Sequence, residues 1–233
     1  HKEKKPYYFV KLKALFFSFF YEMLMGNYIT PADKDENKSL NVFRALRHRH
    51  LTWAVVAQFF YVGAQVCVFS FFILYAVEVA GIDNVLAADY LGWGCGMAFM
   101  VGRFVGTFLM KYIAPPRLLA IYALINVALC GVAMFQTGIV ALIAVIGIAF
   151  FMSIMFPTIF SLGIKELGPD TQYGSSLIIM SIVGGAILPP LFAWIADSTG
   201  NIQLAYSVPL VCFAVILYFG LKGYRVTPTL KAV

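Results

Sequence analysis

Apolar residues along this chain come in blocks, not in alternation. Six blocks follow one another from Leu51 onward, at Leu51–Val79, Ala88–Ile113, Leu118–Phe135, Ile139–Ile164, Ser175–Ala196 and Leu204–Leu221, with short connections between them. A helix needs about 20 apolar residues to cross the hydrocarbon of a bilayer, and each block is close to that length or longer. A membrane barrel would instead alternate apolar and polar positions in strands of about 10 residues. The pattern therefore predicts an all-α integral membrane protein. The stretch before the first block reads differently. "ALFFSFFYEMLM" (Ala14 to Met25) is apolar but short and is interrupted by Glu22, as in an interfacial helix or a truncated span. Pro31 to His50 is a polar, charged linker ending in a basic cluster. The organisation expected is an N-terminal segment and cytoplasmic linker over 1–50, a six-helix bundle over 51–226 and a cytoplasmic tail over 227–233.

Composition supports the membrane reading. The chain is 61% hydrophobic and only 12% charged, and its mean hydropathy is +0.85. A soluble domain is about 25% charged. The net charge of +6 matters only through its placement. Lys34, Lys38, Arg44, Arg47 and Arg49 precede the first block. Lys111 and Arg117 bracket the second connection, Lys165 lies in the fourth, and Lys222, Arg225 and Lys231 follow the last block. The first, third and fifth connections contain neither Lys nor Arg. The positive-inside rule then puts both ends of the six-helix unit in the cytoplasm, in a cell inner or plasma membrane. This topology accounts for the basic balance without nucleic acid as a partner.

Several chemistries are excluded by what is missing. Cys67, Cys95, Cys130 and Cys212 fall in different blocks with no C-x-x-C pair, and read as small buried side chains. His1, His48 and His50 all precede the first block, so neither a Ser-His intramembrane protease nor a histidine metal site in the membrane is expected. No P-loop is present. The reading is a non-enzyme without a cofactor.

Some polar residues do fall inside the blocks. In "QFFYVGAQ", Gln58, Tyr61 and Gln65 are spaced i, i+3 and i+7, which places them on one helix face over roughly 10 Å. Phe69 and Phe72 extend that face. Carboxamides and aromatic rings suit a sugar, which offers hydroxyls and C–H faces. The same glutamines could instead bond neighbouring helices. Gly63 lies at mid-depth of the first block. Pro157 lies in the fourth, where it lacks an N–H and frees a carbonyl near Ser153. Helices interrupted at corresponding points of two triplets are the mark of an inverted repeat. Arg103, in "GRFVG", is the basic residue well inside a block; it can snorkel or pair with an acid such as Glu166, and its flanking glycines admit a close neighbour. Glu78, Asp83 and Asp89 read as a solvated helix end, and Asn126 as a packing hydrogen bond.

The stretches "QFFYVGAQVCVFSFFILYA", "GRFVGTFLMKYIAPPRLLA", "FMSIMFPTIFSLGIKELG" and "GSSLIIMSIVGGAILPPLFAWIAD" together resemble one family. It is the fucose:proton symporter family, which includes bacterial glucose/galactose transporters, in the major facilitator superfamily. The resemblance covers roughly Ala32 to Val226 and is to the family's C-terminal half. It implies a six-helix half built of two inverted three-helix repeats, which works by alternating access with an N-terminal six-helix half as partner. The monosaccharide would lie between the halves, with the first and fourth spans lining its cavity. Gln58, Tyr61, Gln65 and Ser153 would then face the sugar, while Gly63, Arg103, Pro157 and Glu166 would serve gating or packing. The acidic residues that carry the proton are expected in the other half, upstream of His1. Residues 1 to about 31 depart from the family's sixth helix. The alternative reading is a six-helix module with a structural or accessory role, which six further spans upstream would argue against.

Overall fold

A computed structural model describes residues 46–226; the expectations for the N-terminal segment before residue 46 and for the 227–233 tail lie outside them. The described chain runs α1 (Arg49–Ser70), α2 (Phe72–Ala80), α3 (Asn84–Asp89), a π-helical turn (Tyr90–Cys95) and α4 (Gly96–Leu109). It continues through α5 (Pro115–Phe135), α6 (Gly138–Met152), α7 (Met155–Gly163), α8 (Thr171–Met180), α9 (Gly184–Thr199), α10 (Ile202–Ala205) and α11 (Ser207–Tyr218). Among the described residues six spans are long and apolar enough to cross a membrane: Arg49–Ser70, Asn84–Leu109, Pro115–Phe135, Gly138–Gly163, Gly168–Thr199 and Ile202–Gly223. They match the six blocks to within a few residues at most ends. The largest difference is in the first block. It is one apolar run in the sequence but two helices in the fold, because the backbone breaks at Phe71.

Local chemistry sets several of the boundaries. Gly81 and Gly200 adopt left-handed φ values of 68° and 62° and end α2 and α9, a conformation that costs glycine nothing. Pro115 and Pro116 open α5, where their missing N–H groups would have been unpaired anyway. Asn201 caps α10 by accepting from the Gln203 N–H at 2.8 Å.

The spans alternate in direction. At one end, the start of α1 meets the end of α7: His50 Nε2 donates to the Lys165 carbonyl at 2.9 Å. His50 is therefore the second residue of α1 and 1% exposed, not part of a solvated linker. At the other end, the Ala133 carbonyl at the close of α5 accepts from both Tyr75 Oη (2.7 Å) and Gln203 Nε2 (3.0 Å). One oxygen thus joins the first, third and sixth spans.

Packing is built on close approach. α1 lies against α9, α11 and α7, while α6 packs on α5 and α4. A Cβ at Gly63 would overlap the Leu188 side chain, and one at Gly184 would overlap the Phe59 carbonyl. Without a hydrophobic drive between helices in lipid, such small residues let dispersion do the work. Gly63 was expected to mark a break, but α1 is continuous there, and the residue instead makes room for α9. Two spans stand apart in burial: 17% of the second span's apolar window and 28% of the fifth's are buried, against 44–56% for the others. First and fourth spans are broken, and second and fifth are the least buried. That correspondence is in keeping with two three-helix repeats.

Candidate functional site

The fourth span breaks at Ser153 and Ile154, just ahead of Pro157. Pro157 has no N–H to offer the Ser153 carbonyl four residues back, so the ladder is interrupted there. The Ser153 N–H bonds Phe150 at 3.4 Å in a tighter turn, and its hydroxyl donates to the same carbonyl at 2.7 Å. The first span reaches this break through Tyr61, whose hydroxyl donates to the Met152 carbonyl at 3.2 Å. The second span reaches it through "GRFVG". A Cβ on Gly102 would overlap the Phe150 carbonyl, and one on Gly106 would press on Ile154. Three spans therefore converge on one interrupted turn.

The predicted sugar-facing residues divide into two layers here. Gln58, Tyr61 and Ser153 are fully buried. The two hydroxyls are already bonded to backbone carbonyls, and the Gln58 amide has no hydrogen-bond partner on either atom. In this arrangement none of the three presents a group to a ligand between halves. Gln65, two turns above Gln58, is half-buried. Phe69, one turn further, meets Phe99 of α4 edge to face with ring centroids 6.0 Å apart. Arg103 lies one turn below Phe99 with its guanidinium 5.5 Å from that ring. Gln65, Phe69, Phe99 and Arg103 thus form a strip from the first span to the second, ending in an exposed cation. It joins a carboxamide, two rings and a guanidinium. Such a surface can bond hydroxyls at its ends and stack on C–H faces between them.

Phe99 was missed by sequence reasoning. The available signal was its spacing of four from Arg103, which puts it one turn away on the same helix face. The expected Arg103–Glu166 pair does not form. Glu166 sits beside Lys165 at 3.6 Å in the connection after α7, and Arg103 makes no ion pair among the described residues. Asn126, expected to bond a neighbour, is buried with neither amide atom partnered. Pro157 is exposed, and Glu78, Asp83 and Asp89 are exposed at their helix ends. The four cysteines are buried and free. Among the described residues, no group of three or more His, Cys, Asp or Glu side chains is placed to hold a metal ion.

No protein-family model matches the chain. Its relatives are nonetheless clear. It is 50% identical over 187 residues to an L-fucose-proton symporter of Escherichia coli, covering 80% of this chain and 42% of that protein. It is 40% identical over 201 residues to a putative glucose/galactose transporter of Helicobacter pylori (84% of this chain, 49% of that one). The crystal structure of the E. coli fucose:proton symporter FucP superposes with a TM-score of 0.79 at 43% identity, over 93% of this chain and 54% of that one. A peptide transporter of 19% identity superposes at 0.66, a likeness of fold alone. The chain spans about half the length of the curated relatives it matches. With six spans, broken first and fourth helices and these relationships, it is a membrane protein of the major facilitator superfamily. Within that superfamily it is similar to fucose-proton symporters and glucose/galactose transporters over about half of their length.

Proposed function

We propose that the chain is the C-terminal half of a proton-coupled monosaccharide transporter and that it works by alternating access against an N-terminal six-helix half. The observation that carries this is the strip from Gln65 to Arg103. It is the part of the expected site left open to a ligand, and it lies beside the broken turn of the fourth span. Gln65 bonds a sugar hydroxyl, Phe69 and Phe99 stack on its ring, and Gln58, Tyr61 and Ser153 form the wall behind. Arg103, exposed on the second span, meets a carboxylate of the other half and steadies the closed gate; Gly63, Pro157 and Glu166 keep packing and hinge roles. Proton-carrying acids belong to the other half. Among the described residues no mid-membrane carboxylate is evident, and Glu78 is exposed near the end of α2. Both ends of the six-helix unit face the cytoplasm of a bacterial-type inner membrane.

The test uses the complete transporter with both halves present. Gln65→Ala removes one hydrogen bond from a partly dry site, about 1–3 kcal/mol. Sugar affinity by calorimetry should fall roughly five- to 150-fold at about 1.4 kcal/mol per decade, with little change in melting temperature. Unchanged affinity together with a clear loss of stability would show that the amide bonds a helix instead. Orientation is checked by cysteines placed at Asn84, Asn201 and Lys111, the last an exposed residue of the second connection. The first two should react with an impermeant reagent from outside and the third should not.

A further inference from the structure

A cavity of about 650 Å³ opens at the end of the bundle that carries the cationic connections, and of the residues that line it only Glu166 has a role in the transport proposed above. Its walls come from three spans: Pro115 and Pro116 at the start of α5, Ser161 and Lys165 at the end of α7, and Tyr224 and Arg225 beyond the last span. Topology alone explains why cations lie on this side. It does not explain why two of them share a concave site with hydroxyl groups. Lys165 has Glu166 at 3.6 Å, but the two side chains are 60% and 61% exposed, so water holds that pair loosely. Arg225 is exposed and makes no ion pair among the described residues. Pro115 and Pro116 lack N–H groups, so an anion here must be held by side chains and not by the first turn of α5. The Ser161 hydroxyl donates to the Thr158 carbonyl at 3.1 Å, which leaves its lone pairs to accept.

An apolar path leads up to this cup. Gly220 packs directly on the Ala120 backbone, a Cβ there meeting it at 3.0–3.2 Å. The next residue on each helix, Leu221 and Ile121, is 54% and 47% exposed. A seam between two helices with open apolar flanks therefore runs along the bundle surface and ends beneath two cations. We propose that this cavity binds the phosphodiester headgroup of an anionic membrane lipid. Arg225 takes the phosphate in a forked contact, which its geometry favours, and Lys165 adds a point charge. Ser161 accepts from a headgroup hydroxyl, and an acyl chain lies along Ile121 and Leu221.

The experiment is native mass spectrometry of the complete transporter, titrated in a neutral detergent with phosphatidylglycerol, phosphatidylcholine or inorganic phosphate. Phosphatidylglycerol should be retained and phosphatidylcholine should not. Lys165→Gln and Arg225→Gln should each weaken retention at least fivefold, and the pair together more. Ser161→Trp, which fills the cavity and leaves both cations in place, should weaken it to a similar extent. Inorganic phosphate that binds alone and displaces the lipid would assign the same pocket to a free phosphate. A folded Lys165→Gln/Arg225→Gln variant that keeps phosphatidylglycerol as the parent does would overturn the proposal, as would a Ser161→Trp variant with unchanged retention.

Discussion

The first and second spans are alike as sequence and opposite as structure. Their mean hydropathies are 1.6 and 1.3, yet 56% of the first span's window is buried within the bundle and only 17% of the second's. The first keeps its polar groups inside, at Gln58 and Tyr61. The second turns Arg103 outward, along with Phe104 at 72% and Phe108 at 54% exposure. Hydropathy records that a helix can live among apolar neighbours, but not whether those neighbours are protein or lipid. In the function proposed above, the open second span, with a cation on its outer face, is the one that meets the other half. A charge facing bare hydrocarbon would be costly.

Five substitutions break or sharpen this contrast. The largest effect is expected at the seam of the first span. Gly184→Val drives side-chain atoms into the Phe59 carbonyl, a backbone group that cannot rotate away. Such overpacking costs about 3 kcal/mol, and the complete transporter should melt much earlier or fail to accumulate. The matching change on the second span is Gly92→Ala, where nothing lies within 4 Å of the added atom. Its melting temperature should stay within the scatter of surface substitutions, about 0.5 kcal/mol. A loss at Gly92 as large as at Gly184 would mean that the open face is packed after all.

Arg103→Leu comes next. Sugar uptake into proteoliposomes should fall at least tenfold, about 1.4 kcal/mol in transition-state terms, while the melting temperature shifts little. Retained uptake with early melting would make the cation a structural part of the second span. Tyr61→Phe tests the wall of the site. It deletes the bond to Met152, and hydrogen bonds between membrane helices average about 0.6 kcal/mol. A small drop in melting temperature with near-normal sugar affinity is expected. Affinity lost without stability would place the hydroxyl on the sugar.

Gln58→Leu has the smallest expected effect, with a sign that is informative. The amide is buried with both atoms unpartnered. Replacing an unsatisfied group by an apolar one of similar size is neutral or stabilising. Scanning calorimetry should show an unchanged or raised melting temperature. A clear fall would reveal a partner engaged in another conformation of the bundle.

Much of this could be read from residues alone. Six apolar blocks gave six spans because membrane-crossing length is a one-dimensional property. Pro157 announced the break in the fourth span because a missing N–H acts locally. The two glycines of "GRFVG" do admit a neighbour, as spacing predicted. The break at Phe71 had no such signal. "VFSFFIL" contains neither proline nor glycine, and its interruption depends on what packs around it, with the Phe71 ring stacked on Phe192 at 4.5 Å. Gly63 misled for the complementary reason. A glycine in a helix can mark flexibility or close approach, and only the position of Leu188 decides between them. The candidate site was half visible. Helical periodicity put Gln58, Tyr61 and Gln65 on one face, but periodicity does not show how deep each sits, nor that a ring from the next span completes the strip.

The Ala133 carbonyl deserves a last consideration as a target of mutation. It receives Tyr75 and Gln203 together, and so fastens three spans at the rim opposite the cations. A backbone oxygen is the same in every amino acid, so no substitution at position 133 can delete the acceptor. The hydrogen bonds themselves can be lost only through the two donors, and the loss of either leaves the other still attached. The joint is therefore redundant on one side and immutable on the other. It tolerates single coding errors in a way that the glycine seam, where one added carbon is enough to do harm, does not.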